Sequence, residues 1–597
     1  MLELISSRVA AIQAWLRSND LDAFIVPHED EYLGEYIPAH NERLHWLTGF
    51  TGSAGAAVIT PDKAAIFVDG RYTVQVQKQV SGELFEYCHL IETPPLQWIE
   101  KSLTVGARVG FDPRMHRGNW YANAVELYQA KFDLIPVDQN PVDLHWSDRP
   151  EAQLTSVSLL SEAYTGESSQ NKRGKLATSL TENNIDAAVL TELDSICWLF
   201  NIRGLDVSRL PVLLSHAIVN SDGSAQLFID DARIEDRAEF DSHVGNGVTV
   251  QSPDSLESVI AQLSGKTVSF DPSTSNAWFK IALEKNQVKI KEQADPCLMP
   301  KACKNPVEIE GMKHSHRRDG AAMVKFLSWL DNEVDAGRLH DEAIVSDQLE
   351  AFRREDPSLV DLSFDTISAA GGNAAMCHYN HLNQKQPGKL TQDTLYLVDS
   401  GGQYPDGTTD ITRTIAIGNT SEEMKHQFTL VLKGYIGLAT ALFPKGTCGH
   451  QLDILARQHL WANGFDYDHG TGHGVGHFLS VHEGPQRIAK VVNNVALAAG
   501  MVLSNEPGYY RADAFGIRIE NLELVVEKPT TGDLTMLGFE PLTRCPIDVR
   551  NINISLLTDT EIQWLNQYHQ LVEKEISPLV SGDALTWLKS ACTAIAR

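Results

Sequence analysis

Two proline-dense segments, PVDQNPVDLHWSDRPEA at 136–152 and DPCLMPKACKNP at 295–306, carry three prolines each and interrupt a chain of 597 residues. Proline removes a backbone donor and fixes φ, so neither segment continues a helix or sits inside a sheet. A chain of this length also exceeds what one hydrophobic core organises. The segments therefore predict three domains, 1–145, 146–300 and 301–597. The first two share a pattern. RVAAIQAWLRSND runs into LDAFIV (21–26), and RGKLATSLTENN runs into IDAAVL (185–190). Each is followed by a tryptophan segment, LHWLTGF or SICWLFNIRG, and AAIFVDGR is echoed by AQLFIDDAR. Helices alternating with apolar strands predict two small, related α/β domains.

The third part reads differently. Asn305, Pro306 and Glu308 form a cap, first-turn proline and capping box, and Met312, Met323, Phe326, Leu327 and Leu330 mark the buried face of a long helix. A second helix is expected from Thr420 and Glu423, burying Phe428, Val431, Leu432 and Tyr435. A third is expected from about Gln451 to Gly464. Strand-like runs separated by glycine-rich turns surround them, so this part is expected to be α+β with a largely antiparallel sheet.

Composition narrows the function. Net charge of −28 argues against a nucleic-acid or anionic-membrane surface. The first twenty residues predict an amphipathic helix with Leu4, Ala11 and Leu16 on one side, and they lack the basic and apolar regions of a signal peptide. No apolar run is long enough to span a membrane. Eight cysteines without CxxC spacing fit reduced thiols, so a cytoplasmic setting is expected.

Chemistry concentrates in DHGTGHGVGHFLSVHEGP (468–485), with four histidines, two carboxylates and five glycines. His469, His473 and His477 have helical spacing, yet the glycines between them would cost about 1 kcal/mol each in a helix, and no HExxH pattern is present. A loop or strand edge is predicted. Further ligands are sought among carboxylates on apolar strands, where an acid is costly unless paired or metal-bound. Asp399 and Asp410 lie in LVDSGGQYPDGTTDITRT, eleven apart on strands expected to be antiparallel neighbours. Glu506 ends MVLSNEPG, and Glu520 lies in GIRIENLELVV. Four carboxylates and one or two imidazoles suit a pair of divalent ions such as Mn²⁺, Co²⁺ or Zn²⁺ with a hydroxide between them.

In chain order, DSGGQYPDGTTDITRT, HGTGHGVG, NEPGYY and GIRIEN resemble the metallopeptidases of pita-bread fold. The three-part layout, with FTGSAGAAVIT and FVDGRY near the start, is similar to the long, cytosolic Xaa-Pro aminopeptidases. The resemblance implies two creatinase N-terminal-like α/β domains before a pita-bread α+β catalytic domain with a curved antiparallel sheet and a C-terminal helical extension. It implies that Asp399, Asp410, His473, Glu506 and Glu520 bind two divalent ions, Mn²⁺ foremost, with Asp410 and Glu520 bridging. His378 would hydrogen-bond the tetrahedral intermediate, His482 the carbonyl beyond the scissile bond, and His469 would wall a proline pocket. Glu506 would act as general acid–base, and His477 receives no role. The implied activity is removal of the first residue from peptides with proline second, by attack of a metal-bridging hydroxide, in a homodimer. A prolidase is the nearest alternative; an inactive pita-bread binding protein is the alternative of another class. Arg71 in DGRY is expected to be structural or to line a subsite, and Trp564, Tyr568 and Trp587 to pack the terminal helices or form an interface.

Overall fold

The computed structural model describes residues 2–597. Contacts divide the chain into two compact units: one gathers residues up to Leu159 with Glu167–Ser208 and Val212–Cys297. The other holds Leu160–Gly166, Arg209–Pro211 and Leu298–Arg597.

The first unit contains two six-stranded sheets of the same design. In one, Ala23–Pro27 lies between Ala56–Ile59 and Ala107–Phe111, antiparallel to the first and parallel to the second. In the other, Ala187–Leu190 lies between His216–Asn220 and Thr267–Phe270 with the same senses. The outer strands repeat the correspondence, so the strand order is identical in the two sheets. A related pair of sequences follows corresponding strands, GFDPRMHRGNW at 110–120 and SFDPSTSNAWF at 269–279. Both run into helices, Gly118–Tyr128 and Ala277–Lys285. This topological duplication supports the relation inferred from the shorter echoes.

The N-terminal helix, Leu2–Ser18, corrects one expectation. Its buried stripe is Ile5, Val9, Ile12 and Leu16, while Leu4 is 51% exposed. Four apolar side chains at spacings of three and four outcompete a stripe built on an isolated Leu4. Arg71 pairs with Asp69 at 2.8 Å and lies over the Tyr72 ring, a local structural role.

The second unit is antiparallel throughout its sheets. Its long helix, Pro306–Asp335, starts with the expected Asn305–Glu308 capping box and buries all five apolar residues expected of it. The helix Glu422–Ala439 is capped by Ser421 rather than Thr420. Thr394–Ser400 lies between Ile367–Ala370 and Ile411–Ile417. A six-stranded sheet places Val502–Asn505 between Asn521–Lys528 and Gly472–Gly474. The helices Asp559–Ile576 and Gly582–Ala591 close the chain. Trp564 stacks on Tyr568, and the Trp587 indole donates to Asp331 at 2.7 Å, so the terminal aromatics pack these helices down. Arg413 is buried beneath them and donates to the carbonyls of Glu520, Cys545 and Pro546. All eight cysteines are unbridged, and no described helix is long and apolar enough to cross a membrane.

Candidate metal centre

The strand Thr394–Ser400 is buried along its whole length, so Asp399 enters the interior on an otherwise apolar element. Asp399 pairs with Thr412 across the ladder. Asp410, two residues before Thr412, therefore stands diagonally from Asp399 on the same face. The run Phe515–Arg518 ends just before Glu520, whose N–H donates to the Thr412 carbonyl at 3.2 Å. The Thr412 hydroxyl donates to Glu520 Oε2 at 2.6 Å.

His473 and Glu506 arrive from neighbouring strands. Gly472–Gly474 forms a short strand, and a Cβ on Gly472 would collide with the Ser504 carbonyl. That close approach explains why glycine alternates with histidine here. The Ser504 hydroxyl accepts from the His473 N–H at 2.9 Å and donates to Glu506 Oε1 at 3.1 Å. His473 Nδ1 hydrogen-bonds the Gly474 carbonyl at 3.0 Å, which turns Nε2 to within 3.5 Å of both Asp410 and Glu506. A metal-ligating imidazole is oriented in the same way, with one ring nitrogen tied to a carbonyl.

Ligand atoms of Asp410, His473 and Glu520 lie within 4.8 Å of one another. Asp399 Oδ1 and Asp410 Oδ1 are buried and have no protein hydrogen-bond partner. Buried carboxylate oxygens without donors are expensive unless a cation satisfies them, so the donor set fits divalent metal. The electrostatics agree. Burial first, then Asp399 and Glu506, push the Asp410 carboxyl well above its usual range. Burial, then Asp410 and Glu506, do the same to Glu520. Burial, with Asp399 adding to it against Arg518, lifts Glu506 to about 7. These acids repel one another, and bound cations would reverse that cost.

Arg518 was not among the expected site residues. Its guanidinium is buried and donates to Asp399 at 2.6 Å, the Thr412 hydroxyl at 3.1 Å and the Tyr510 hydroxyl at 2.8 Å. Tyr510 in turn meets His469 Nε2 at 2.8 Å, while His469 Nδ1 faces the Gly470 carbonyl at 2.7 Å. Desolvation, aided by Arg518, pushes His469 down to about 3, so its ring is neutral. The Cys377 thiol, raised by burial, also meets Tyr510. The signal available in the sequence was an arginine inside the apolar run GIRIE, followed by an acid.

The remaining histidines separate. The His482 ring packs edge-on against His473, with centroids 4.3 Å apart. His378 follows Cys377 and acts electrostatically on His469, which brings it to the same neighbourhood. His477 is buried and packs against Gly311 of the long helix. Glu483, beside His482, is also buried and pairs with Lys301 at 3.1 Å and Lys304 at 2.7 Å. Neither lysine was expected to matter, because both sit in the proline-dense segment that reads as a boundary.

Comparison with known proteins gives consistent matches. Residues 310–527 match metallopeptidase family M24, and 535–595 match the C-terminal region of peptidase M24. Residues 8–143 and 148–308 each match a creatinase/prolidase N-terminal domain. A probable Xaa-Pro aminopeptidase P of Coprinopsis cinerea is 39% identical over 99% of this chain and 98% of its own length. That of Laccaria bicolor is 39% identical over 98% of this chain and 93% of its own length. Among solved structures, an X-prolyl aminopeptidase from Caenorhabditis elegans is described as a cytosolic enzyme with a di-nuclear active site. It superposes with a TM-score of 0.94 at 34% identity, over 99% of this chain and 100% of its own. An Xaa-Pro dipeptidase from Bacillus anthracis shares the fold over 64% of this chain and 99% of its own, with a TM-score of 0.51 at 23% identity.

Proposed function

The chain belongs to metallopeptidase family M24, with two creatinase-type domains ahead of a pita-bread catalytic domain, and on that premise we propose how its site works. It is an Xaa-Pro aminopeptidase, removing the first residue of peptides whose second residue is proline. The observation that carries this reading is the cluster of Asp410, His473 and Glu520, with Glu506 3.5 Å from His473 and with one oxygen each of buried Asp399 and Asp410 that no protein donor satisfies.

These five residues would hold two divalent ions, Mn²⁺ foremost. Bound there, the ions supply Lewis-acid polarisation of the scissile carbonyl and an activated water. Glu506, whose Oε1 is held by the Ser504 hydroxyl, would take and return the proton as general acid–base. The substrate's free α-amine would be received beside the acidic ligands, the mark of an exopeptidase. His378 and His482 would donate to the oxygen on which charge develops. His469, neutral and locked by Tyr510, would face the proline ring, which offers no N–H for a donor contact. Domain limits of 1–145, 146–300 and 301–597 and a homodimer complete the proposal; limited proteolysis and sedimentation test them.

The deciding assay offers Mn²⁺-loaded protein a tripeptide with proline second and, separately, an Xaa-Pro dipeptide. We expect release of the first residue from the tripeptide, little dipeptide turnover, and loss of activity on chelation or with Asp410→Ala. Preference for the dipeptide would make the protein a prolidase. Metal uptake without turnover of either would point to a binding protein.

A further inference from the structure

Glu342 opens the helix Glu342–Arg353 and is completely buried. Its Oε1 accepts from the Ala370 N–H at 2.7 Å and the Asn373 amide at 2.9 Å. Its Oε2 accepts from the Tyr379 hydroxyl at 2.6 Å and the Gly388 N–H at 2.6 Å. The Glu342 N–H also donates to the Gly388 carbonyl at 2.9 Å, and its carbonyl accepts from Ser368 at 2.7 Å. One side chain thus ties together Ala370, Asn373, Tyr379 and Gly388. These residues span the irregular connection between the strands Ile367–Ala370 and Thr394–Ser400.

That connection carries His378. Apart from the short 3-10 turns Gly371–Ala375 and His381–Asn383 it has no regular structure, so no backbone ladder places the imidazole. Tyr379, the next residue, is buried and bonded to Glu342. All four groups that the carboxylate accepts from are donors, a demand that an acceptor-only side chain meets and an amide does not. A carboxylate withdrawn from water adds little net stability even when fully bonded, whereas four bonds along one loop define its path.

We propose that Glu342 is a positioning residue for the aminopeptidase reaction: by holding Tyr379 and both ends of the loop, it sets the His378 imidazole against the substrate. The inference rests on the reading of His378 as a substrate-handling group.

Glu342→Gln keeps the volume and forces an NH₂ group against two donors in either amide orientation. The experiment measures kcat and KM on an Xaa-Pro tripeptide for Glu342→Gln, His378→Ala and the double variant, with Mn²⁺ content and melting temperature determined alongside. We expect Glu342→Gln to bind Mn²⁺ normally and to lose about 100-fold in kcat with KM little changed. In the His378→Ala background the same substitution should change kcat by less than about twofold, because the two act on one step. Tyr379→Phe removes one bond of the same network, so its own cycle with His378→Ala decides the matter where Glu342→Gln fails to fold. Equal losses in both backgrounds, or native kcat in Glu342→Gln and Tyr379→Phe, would overturn the proposal while leaving the role of His378 intact. Unchanged kcat for His378→Ala alone would remove the underlying reading and this inference with it.

Discussion

As a proposed metal ligand, Glu506 would link metal binding to pH. Burial, with Asp399 adding to it, holds its carboxyl near 7 in the absence of a cation, and a divalent ion binds only the ionised form. The metal must displace that proton whenever the pH lies below 7. Affinity of the stripped protein for Mn²⁺ should therefore fall as pH drops from about 8 to about 6, by about tenfold per pH unit for each proton displaced. Calorimetry in two buffers of different ionisation heat measures this; an affinity independent of pH would contradict it. Glu523 is a second buried acid with another consequence. Its Oε1 accepts from Tyr435 at 3.0 Å, its Oε2 has no partner, and burial lifts the carboxyl to about 8. The folded chain keeps a proton that the unfolded chain surrenders near 4.5. Stability from this group is thus complete below that value and declines as pH rises toward 8. Glu523→Gln, neutral at every pH, should melt above the native protein near pH 8 and together with it near pH 5. Parallel melting curves across that window would refute the assignment.

Helices in the catalytic unit show how element-scale features override intrinsic propensity. Gly434 lies inside the helix Glu422–Ala439 where it crosses Gly449–Trp461, and a Cβ there would collide with the Ala456 carbonyl. Alanine would gain about 1 kcal/mol of helix propensity, but the opposing carbonyl belongs to backbone and cannot rotate aside. Gly434→Ala is expected to destabilise by about 1–3 kcal/mol on balance, read as a lower midpoint in denaturant. In the terminal helix Asp559–Ile576, Leu565 is fully buried in the core that the extension shares with the catalytic unit. Leu565→Ala should cost about 2–5 kcal/mol. Caps were largely legible at this scale, as the Asn305–Pro306–Glu308 start shows. Placing the cap on Thr420 rather than Ser421 was a one-residue error with a clear cause: both side chains cap well, and packing of Phe428 and Val431 selects the phase. The same kind of error put Leu4 on the buried side of the first helix.

For the whole molecule, the metal cluster belongs to one of two compact units. Stripping the metal leaves mutually repelling buried acids in that unit alone. Chelation should therefore lower the unfolding temperature of the transition reported by Trp329, Trp461, Trp564 and Trp587. It should leave unmoved the one reported by the seven tryptophans of the first unit. Differential calorimetry together with fluorescence of single-tryptophan variants separates the two. An equal shift in both would mean that the units unfold as one.

Much of this architecture was readable because its causes are local. Helix–strand echoes announced a duplicated design, and glycine alternation excluded a helical histidine site. Acids ending apolar strands announced a metal centre, since a charge carried into the interior needs a cation or a set of donors to meet it. What no sequence pattern contained was the connection between distant segments. Arg518 meets Asp399 and Tyr510, Ser504 joins His473 to Glu506, Lys301 and Lys304 meet Glu483, and Glu342 gathers the loop of His378. Hydrogen bonds act over about 3 Å in space and are indifferent to separation along the chain, so residue types and periods determined which groups entered the interior, and only the tertiary packing decided which of them met.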